Sequence, residues 1–209
     1  MAEGTSPGMN ERRGLTVCDM SVSLDGYVTG PNDSRENPFG DGARDLHAWL
    51  RPTASDDDRA VLAGIVGTVG AIVMGRRSFE KNEGDGGWGD AGPMGEIPVF
   101  VLTHDKPTRS YPAVFTFVDE GVADAIRRAR HIAGDKDVHL FGATVMQQAL
   151  PLGLVDELHL HVMPILLGGG TPLFGTLGEA IRLERTGAQA TPIATHLQYR
   201  ILTSEENAS

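Results

Sequence analysis

One stretch, His139–Phe174 (HLFGATVMQQALPLGLVDELHLHVMPILLGGGTPLF), restricts what this chain can fold into. Its apolar pattern changes period twice. Val138–Phe141 reads as a short apolar strand, and Gly142-Ala143 as a turn small enough for close backbone approach. Thr144–Leu150 carries Val145, Met146, Ala149 and Leu150 at helical spacing, and Pro151 and Gly153 end that helix. Leu158, Leu160 and Val162 then alternate with Glu157, His159 and His161, which predicts a strand with two unlike faces. Gly168-Gly169-Gly170 follows, a place where backbone bends tightly or presses against a ligand.

A glycine turn that opens a helix leaves backbone N–H groups unpaired, at the positive end of the macrodipole, where phosphate is the usual guest. The same turn is also an ordinary packing solution. A second one follows the apolar run Thr68–Met74 (TVGAIVM), read as a buried strand. It is Gly75-Arg76-Arg77-Ser78, which would add guanidinium and hydroxyl donors to a bound phosphate. Exposed surface arginines are the bland alternative.

The remaining elements fall around these two. Leu15–Leu24 predicts a strand, Asp25-Gly26 a turn, and Tyr27-Val28 a resumption of that strand. Thr29–Asp45 and Lys81–Gly95 are long loops of the kind that line binding sites. Asp45–Leu50 predicts a helical turn or two. Ser55 caps a helix to Val66 with Asp56, Asp57 and Asp58 in its first turn. Ile97–Thr103 and Val114–Val118 predict strands, and Val122–Ile132 an amphipathic helix. Ala180–Ala190 and Thr195–Leu202 predict an antiparallel hairpin turning near Thr191-Pro192. Alternating buried strand, glycine turn and helix argues for an α/β fold with a mostly parallel centre. In such sheets ligands bind beyond the carboxyl ends of the strands.

Length and charge narrow the function. The chain has 209 residues and reads as one domain over residues 14–203, with a disordered N-terminal tail (1–13) and a short C-terminal tail (204–209). A net charge of −10 argues against a nucleic-acid surface. The single cysteine, Cys18, excludes an intrachain disulfide and a cysteine-based zinc site. No signal peptide or membrane span is legible, so a cytoplasmic location and no membrane partner are expected.

The motifs SLDGY (Ser23–Tyr27), VMGRRSFE (Val73–Glu80), VFVLTHD (Val99–Asp105), LFGATVMQQAL (Leu140–Leu150) and VDELHLHVMPILLGGGTPLF (Val155–Phe174), in this order, resemble the dihydrofolate-reductase-like superfamily. More narrowly they resemble stand-alone relatives of the reductase domain of the bifunctional riboflavin-biosynthesis deaminase–reductase. The resemblance covers residues 15 to 203. It implies a three-layer α/β fold with a mostly parallel central sheet and an antiparallel C-terminal hairpin.

The resemblance also implies NADPH as cofactor and hydride transfer to a small heterocycle of pterin, folate or aminopyrimidine type. Gly75, Arg76, Arg77 and Ser78 would hold its phosphates. Leu102, Thr103 and His104 would lie by the adenosine and its 2′-phosphate; Thr103 lacks the charge to distinguish that phosphate, so any NADP preference would rest mainly on Arg76 or Arg77. Phe141, Gly142, Ala143, Thr144 and Val145 would lie by the pyrophosphate and nicotinamide. Phe141 stands where folate reductases have the first of two glycines. Asp45 falls roughly where those enzymes carry a buried acid that binds and protonates the pterin; a surface helix-cap acid is the competing reading. Asp25 is a second candidate proton source, with a turn-forming Asp-Gly as its alternative. The resemblance further implies a homodimer paired through the last strands and the glycine triplet, with His159 and His161 in that interface if they face outward.

Two other readings remain open. His159, His161 and His139 could accept a metal, but no carboxylate has a clear third-ligand spacing, and no metal is expected. The chain could instead bind a nicotinamide or flavin nucleotide without turning over.

Overall fold

The computed structural model describes residues 13–83, 87–203 and 206. The expected tails therefore lie outside the described residues except for Arg13 and Glu206. Strands and helices alternate through the first two thirds of the chain: β1 (Thr16–Ser23), β2 (Tyr27–Thr29), a 3₁₀ helix Arg44–Leu50, α1 (Asp56–Thr68), β3 (Val69–Gly75), α2 (Arg76–Asn82), β4 (Val99–Leu102), β5 (Phe115–Val118), α3 (Val122–Ala133), β6 (Asp137–Phe141) and α4 (Ala143–Ala149). A 3₁₀ turn at Leu150–Leu152 leads to β7 (Glu157–Met163), β8 (Thr171–Pro172), β9 (Leu183–Ala190) and β10 (Thr195–Ile201).

Eight strands form one sheet in the order β5-β4-β3-β6-β1-β7-β10-β9. Every pair from β5 to β7 is parallel, and β10 runs antiparallel to both β7 and β9. This is the expected mostly parallel sheet closed by a C-terminal hairpin. The parallel strands are nearly continuous apolar runs because helices cover both faces. On one face α3 packs Val122, Ala125, Ile126, Ala129 and Ala133 against the sheet, joined by Val145 and Met146 of α4. Gly134, at φ 65°, ends α3 in a conformation that disfavours a side chain.

The opposite face carries two smaller cores. One gathers Ile72, Met74, Phe79, Val99 and Val101; the other gathers Ala43, Leu46, Trp49, Met163 and Ala194 under α1 and the 3₁₀ helix. Ser55 and Asp58 form a capping box at the start of α1.

Two expectations change. Tyr27–Thr29 does not resume β1 in the main sheet. Gly26, at φ 90°, turns the chain out, and β2 pairs with β8 in a separate two-stranded ribbon. His159 and His161 do not face outward either. The register Asp19↔His159 and Ser21↔His161 sets them beside β1, and His161 is buried. Among the described residues no helix is long and apolar enough to cross a membrane.

Candidate active site

A cavity of about 1110 Å³ opens where β3, β4 and β6 end and extends over β1 to α1 and the 3₁₀ helix. Gly75–Ser78, Leu102–His104 and Phe141–Val145, every residue expected to contact the cofactor, line it. Parallel pairing makes this inevitable once the strands align: Gly75 sits opposite Leu102, and Met74 opposite Phe141.

The two glycine turns fit into each other. A Cβ on Gly142 would lie 2.6 Å from Ser78 Oγ, and one on Gly75 would lie 3.6 Å from a Val145 methyl. Gly142 also has φ 99°, so both space and backbone require glycine there. The replacement of a preceding glycine by Phe141 does not close the turn, because Phe141 packs into the Ile72–Phe79 core.

Both arginines of the first turn are already paired. Arg76 Nε donates to Glu80 at 2.6 Å, and its guanidinium lies 5.6 Å from the Phe117 ring centroid. Arg77 pairs with Asp33 at 2.6 Å, and Lys81 reaches the same carboxylate at 2.5 Å, which holds Asp33 below the usual carboxylate range despite its burial. The cavity lining contains Arg76, Arg77, Lys81 and Lys106 against Asp19, Asp33, Glu80 and Asp105, so it is formally neutral in a chain of net charge −10.

The proposed proton donors are placed elsewhere. Asp45 lies in the first turn of the 3₁₀ helix, with 70% of its side chain exposed, and pairs with Arg51 at 2.7 Å. With three residues per 3₁₀ turn, Leu46 and Trp49 enter the core, His47 and Leu50 line the cavity, and Asp45 is left to solvent. Asp25 lies outside the cavity lining too. Its carboxylate accepts from Ser23 Oγ (2.6 Å), Gly168 N (2.7 Å) and Leu167 N (3.1 Å), and these bonds, Ser23's first, pull it down to about 2. It is the acceptor that ties the β1 turn to the glycine triplet.

Among the acids that line the cavity, Asp19 stands on β1, in a stretch that reads in sequence as an apolar strand. Its Oδ1 meets His161 Nε2 at 3.0 Å, and its Oδ2 lies 3.7 Å from His159 Nδ1. Burial pushes this carboxyl up, but the two histidines outweigh it and hold Asp19 well below the usual range. His47 is the second group missed. Burial pushes its imidazole down to about 4, so it is neutral near pH 7. The only local signal for either was a single polar residue among apolar neighbours.

Three buried polar atoms on this side of the cavity have no hydrogen-bond partner among the described residues: Asp19 Oδ2, Thr29 Oγ1 and His47 Nδ1. Leaving such atoms bare costs about 1–3 kcal/mol each, so together they mark a place for a polar ligand. A carboxylate only accepts, so the ligand must offer it a donor; His47 and Thr29 take either role. Among the described residues no group of three or more His, Cys, Asp or Glu is arranged to hold a metal. His139 is buried with neither ring nitrogen hydrogen-bonded, while His159 and His161 engage carboxylates.

Comparison with known proteins agrees with this fold. A sequence profile described as the RibD C-terminal domain matches residues 15–197. A putative riboflavin biosynthesis protein from Shewanella sp. PV-4 superimposes with a TM-score of 0.68 at 23% identity, over 90% of this chain and 99% of that one. The diaminohydroxyphosphoribosylaminopyrimidine deaminase/5-amino-6-(5-phosphoribosylamino)uracil reductase of Thermotoga maritima gives 0.61 at 12% identity, over 92% of this chain and 58% of that one. Dihydrofolate reductase from Enterococcus faecalis, complexed with NADP(H), gives 0.56 at 12% identity, over 91% of this chain and 98% of that one.

Proposed function

The chain belongs to the RibD C-terminal domain family, and from that membership we propose that it is an NADPH-dependent reductase of a small heterocycle of pterin, folate or aminopyrimidine type. One observation carries this reading. The residues suited to a dinucleotide and three unpartnered polar atoms line the same cavity. Its volume of 1110 Å³ exceeds the roughly 300–1,000 Å³ usual for one small ligand, which leaves room for a cofactor and a second molecule.

Gly75–Ser78 and Phe141–Val145 would hold the phosphates and nicotinamide, and Leu102–His104 the adenosine. NADPH, when bound, supplies the hydride. The chain's own part is to orient and to exclude water. Asp19 Oδ2 would accept from an N–H of the heterocycle, with His47 and Thr29 completing its polar edge. Leu62 and Ile65 of α1 would supply an apolar wall.

A homodimer through the C-terminal hairpin belongs to the same proposal. It is supported by β9, an eight-residue edge strand exposed along almost its whole length. A cytoplasmic location is supported by Cys18, buried and free. The second reading, nucleotide binding without turnover, is favoured by one observation: Asp19 lies against His161 and His159, which hold its carboxyl well below the usual range and disfavour a proton on it.

The deciding experiment is a fluorescence titration of the purified protein with NADPH and then NADH. Saturable NADPH binding that weakens in Arg76→Ala and Arg77→Ala supports the cofactor site. No binding of either nucleotide would sink the reductase reading.

A further inference from the structure

Behind Asp19 the sheet buries a line of hydrogen bonds that the proposed cofactor site does not use. Asp19 Oδ1 meets His161 Nε2 at 3.0 Å; His161 Nδ1 meets His196 Nδ1 at 2.6 Å; His196 Nε2 meets Asp58 Oδ1 at 3.0 Å. The four residues come from β1, β7, β10 and α1. His161, His196 and Asp58 are 3%, 5% and 0% exposed, and Trp49 covers both rings at 4.0 and 5.2 Å between centroids. Asp58 also bonds Ser55 at the start of α1, which fixes it in place, and the Asp19 end is the one that opens to the cavity.

The contacts count the protons. Each of the three needs one hydrogen between its two atoms. Two neutral imidazoles bring only two. With both carboxylates ionised, the rings must share a third, because otherwise two bare lone pairs would face each other at 2.6 Å. Moving the two hydrogens nearest Asp19 one place towards it, while the third stays on His196 Nε2, leaves each contact made and puts that extra proton on the carboxylate of Asp19, in the cavity.

We propose that Asp19, His161, His196 and Asp58 form a buried proton relay, in which Asp19 is the catalytic acid facing the substrate and the other three charge it. The use of the relay rests on the reductase reading; its existence does not. Reduction of a C=N or C=O places a hydride, with its electron pair, on carbon and requires a proton on nitrogen or oxygen. The O–H bond of Asp19 breaks as that N–H or O–H bond forms. Both rings are then neutral, and when product leaves, solvent in the cavity reprotonates Asp19, whose proton passes to His161 Nε2 and restores the shared charge. A resting carboxylate at Asp19 is then no obstacle to turnover. Other titratable groups facing the line are His159 with Glu157 on β7, His47 from the 3₁₀ helix and His139 from β6.

The test is NMR of the cofactor-free protein carrying ¹⁵N-histidine and ¹³C-aspartate. The relay requires a strongly downfield, slowly exchanging imidazole proton that correlates with both His161 and His196 Nδ1. Raising the pH should remove it, and the Asp19 carboxyl resonance should move with the same midpoint. Asp58→Asn takes away a nearby anion and should lower that midpoint by about one pH unit or more. His196→Gln, its fold checked by circular dichroism, should uncouple Asp19 from the transition. Absence of the shared proton in the wild-type protein, or an Asp19 signal indifferent to His196→Gln, would overturn the relay. The NADPH titration is read separately. A shared proton without NADPH binding keeps the relay and sinks the reductase, and NADPH binding without a shared proton does the reverse.

Discussion

A Cβ placed on Gly142 would stand 2.6 Å from the hydroxyl oxygen of Ser78. Through this approach the turn after β6 rests on the first turn of α2, and two segments far apart in sequence make one wall of the cavity.

Gly142→Ala should therefore cost stability twice. Holding alanine at φ 99° costs about 1–3 kcal/mol, and the contact with Ser78 adds to it. Urea denaturation should show the midpoint falling. Pairing the change with Ser78→Gly should recover the contact part and leave the backbone part, so the double-mutant cycle will be non-additive. Additive effects would show that the two turns do not touch.

Arg76 and Glu80 lie 2.6 Å apart on the outer turn of α2. Arg76→Ala should weaken NADPH about tenfold, the scale of one charge-assisted hydrogen bond, and leave NADH nearly unchanged. Glu80→Gln, which releases the guanidinium, should tighten NADPH, and added salt should erase the gain. Equal losses for NADPH and NADH would place the 2′-phosphate elsewhere.

His47 is a base pushed down from its ordinary value to about 4 by burial. Between pH 6.5 and 4 the unfolded chain binds the proton that the folded chain refuses. Stability should accordingly fall as pH falls through that window, by up to about 1.4 kcal/mol per pH unit from this group. His47→Asn should flatten the slope of the urea midpoint against pH. An unchanged slope would show that the ring is freely protonated in the fold.

Asp45 is exposed and paired with Arg51. Asp45→Asn should leave the urea midpoint and NADPH binding where they were, since exposed pairs contribute little. Asp25→Asn removes the charged acceptor of Leu167 N and Gly168 N and should destabilise the fold. A loss of NADPH binding or turnover confined to Asp45→Asn would return the catalytic acid to the 3₁₀ helix.

The exposed edge at β9 predicts association. Sedimentation at micromolar concentration should give a dimer, and Thr186→Pro, which disrupts the edge, should shift it towards monomer. A wild-type monomer would remove the homodimer from the proposal.

Much of the cavity wall was legible because its determinants are local. Gly75-Arg76-Arg77-Ser78 and Gly142-Ala143 each follow an apolar strand, and the chemistry of such a turn depends on its own few residues. Strand ends shifted by one or two positions, as at Ile97–Thr103 against the observed Val99–Leu102. Asp45 was misplaced because which residue of a three-residue turn faces the cavity depends on what the turn packs against. Asp58 was read as a helix-cap acid and is one, but its other oxygen serves His196.

The line from Asp19 to Asp58 had no such local signature. Its contacts join residues 142, 35 and 138 positions apart. In sequence Asp19 and His196 are single polar residues in strands, and His161 falls with Glu157 and His159 on one strand face. Their meeting is set by register: Asp19 opposite His159 and His161 opposite His196. A slip of one residue would turn each side chain to the other face. By itself the sequence determined where strands, turns and helices lie and which turns can take a phosphate, since periodicity and glycine act over a few residues. Only the tertiary structure decided which acid enters the cavity and which histidines stand behind it, because burial and pairing are properties of the assembled sheet.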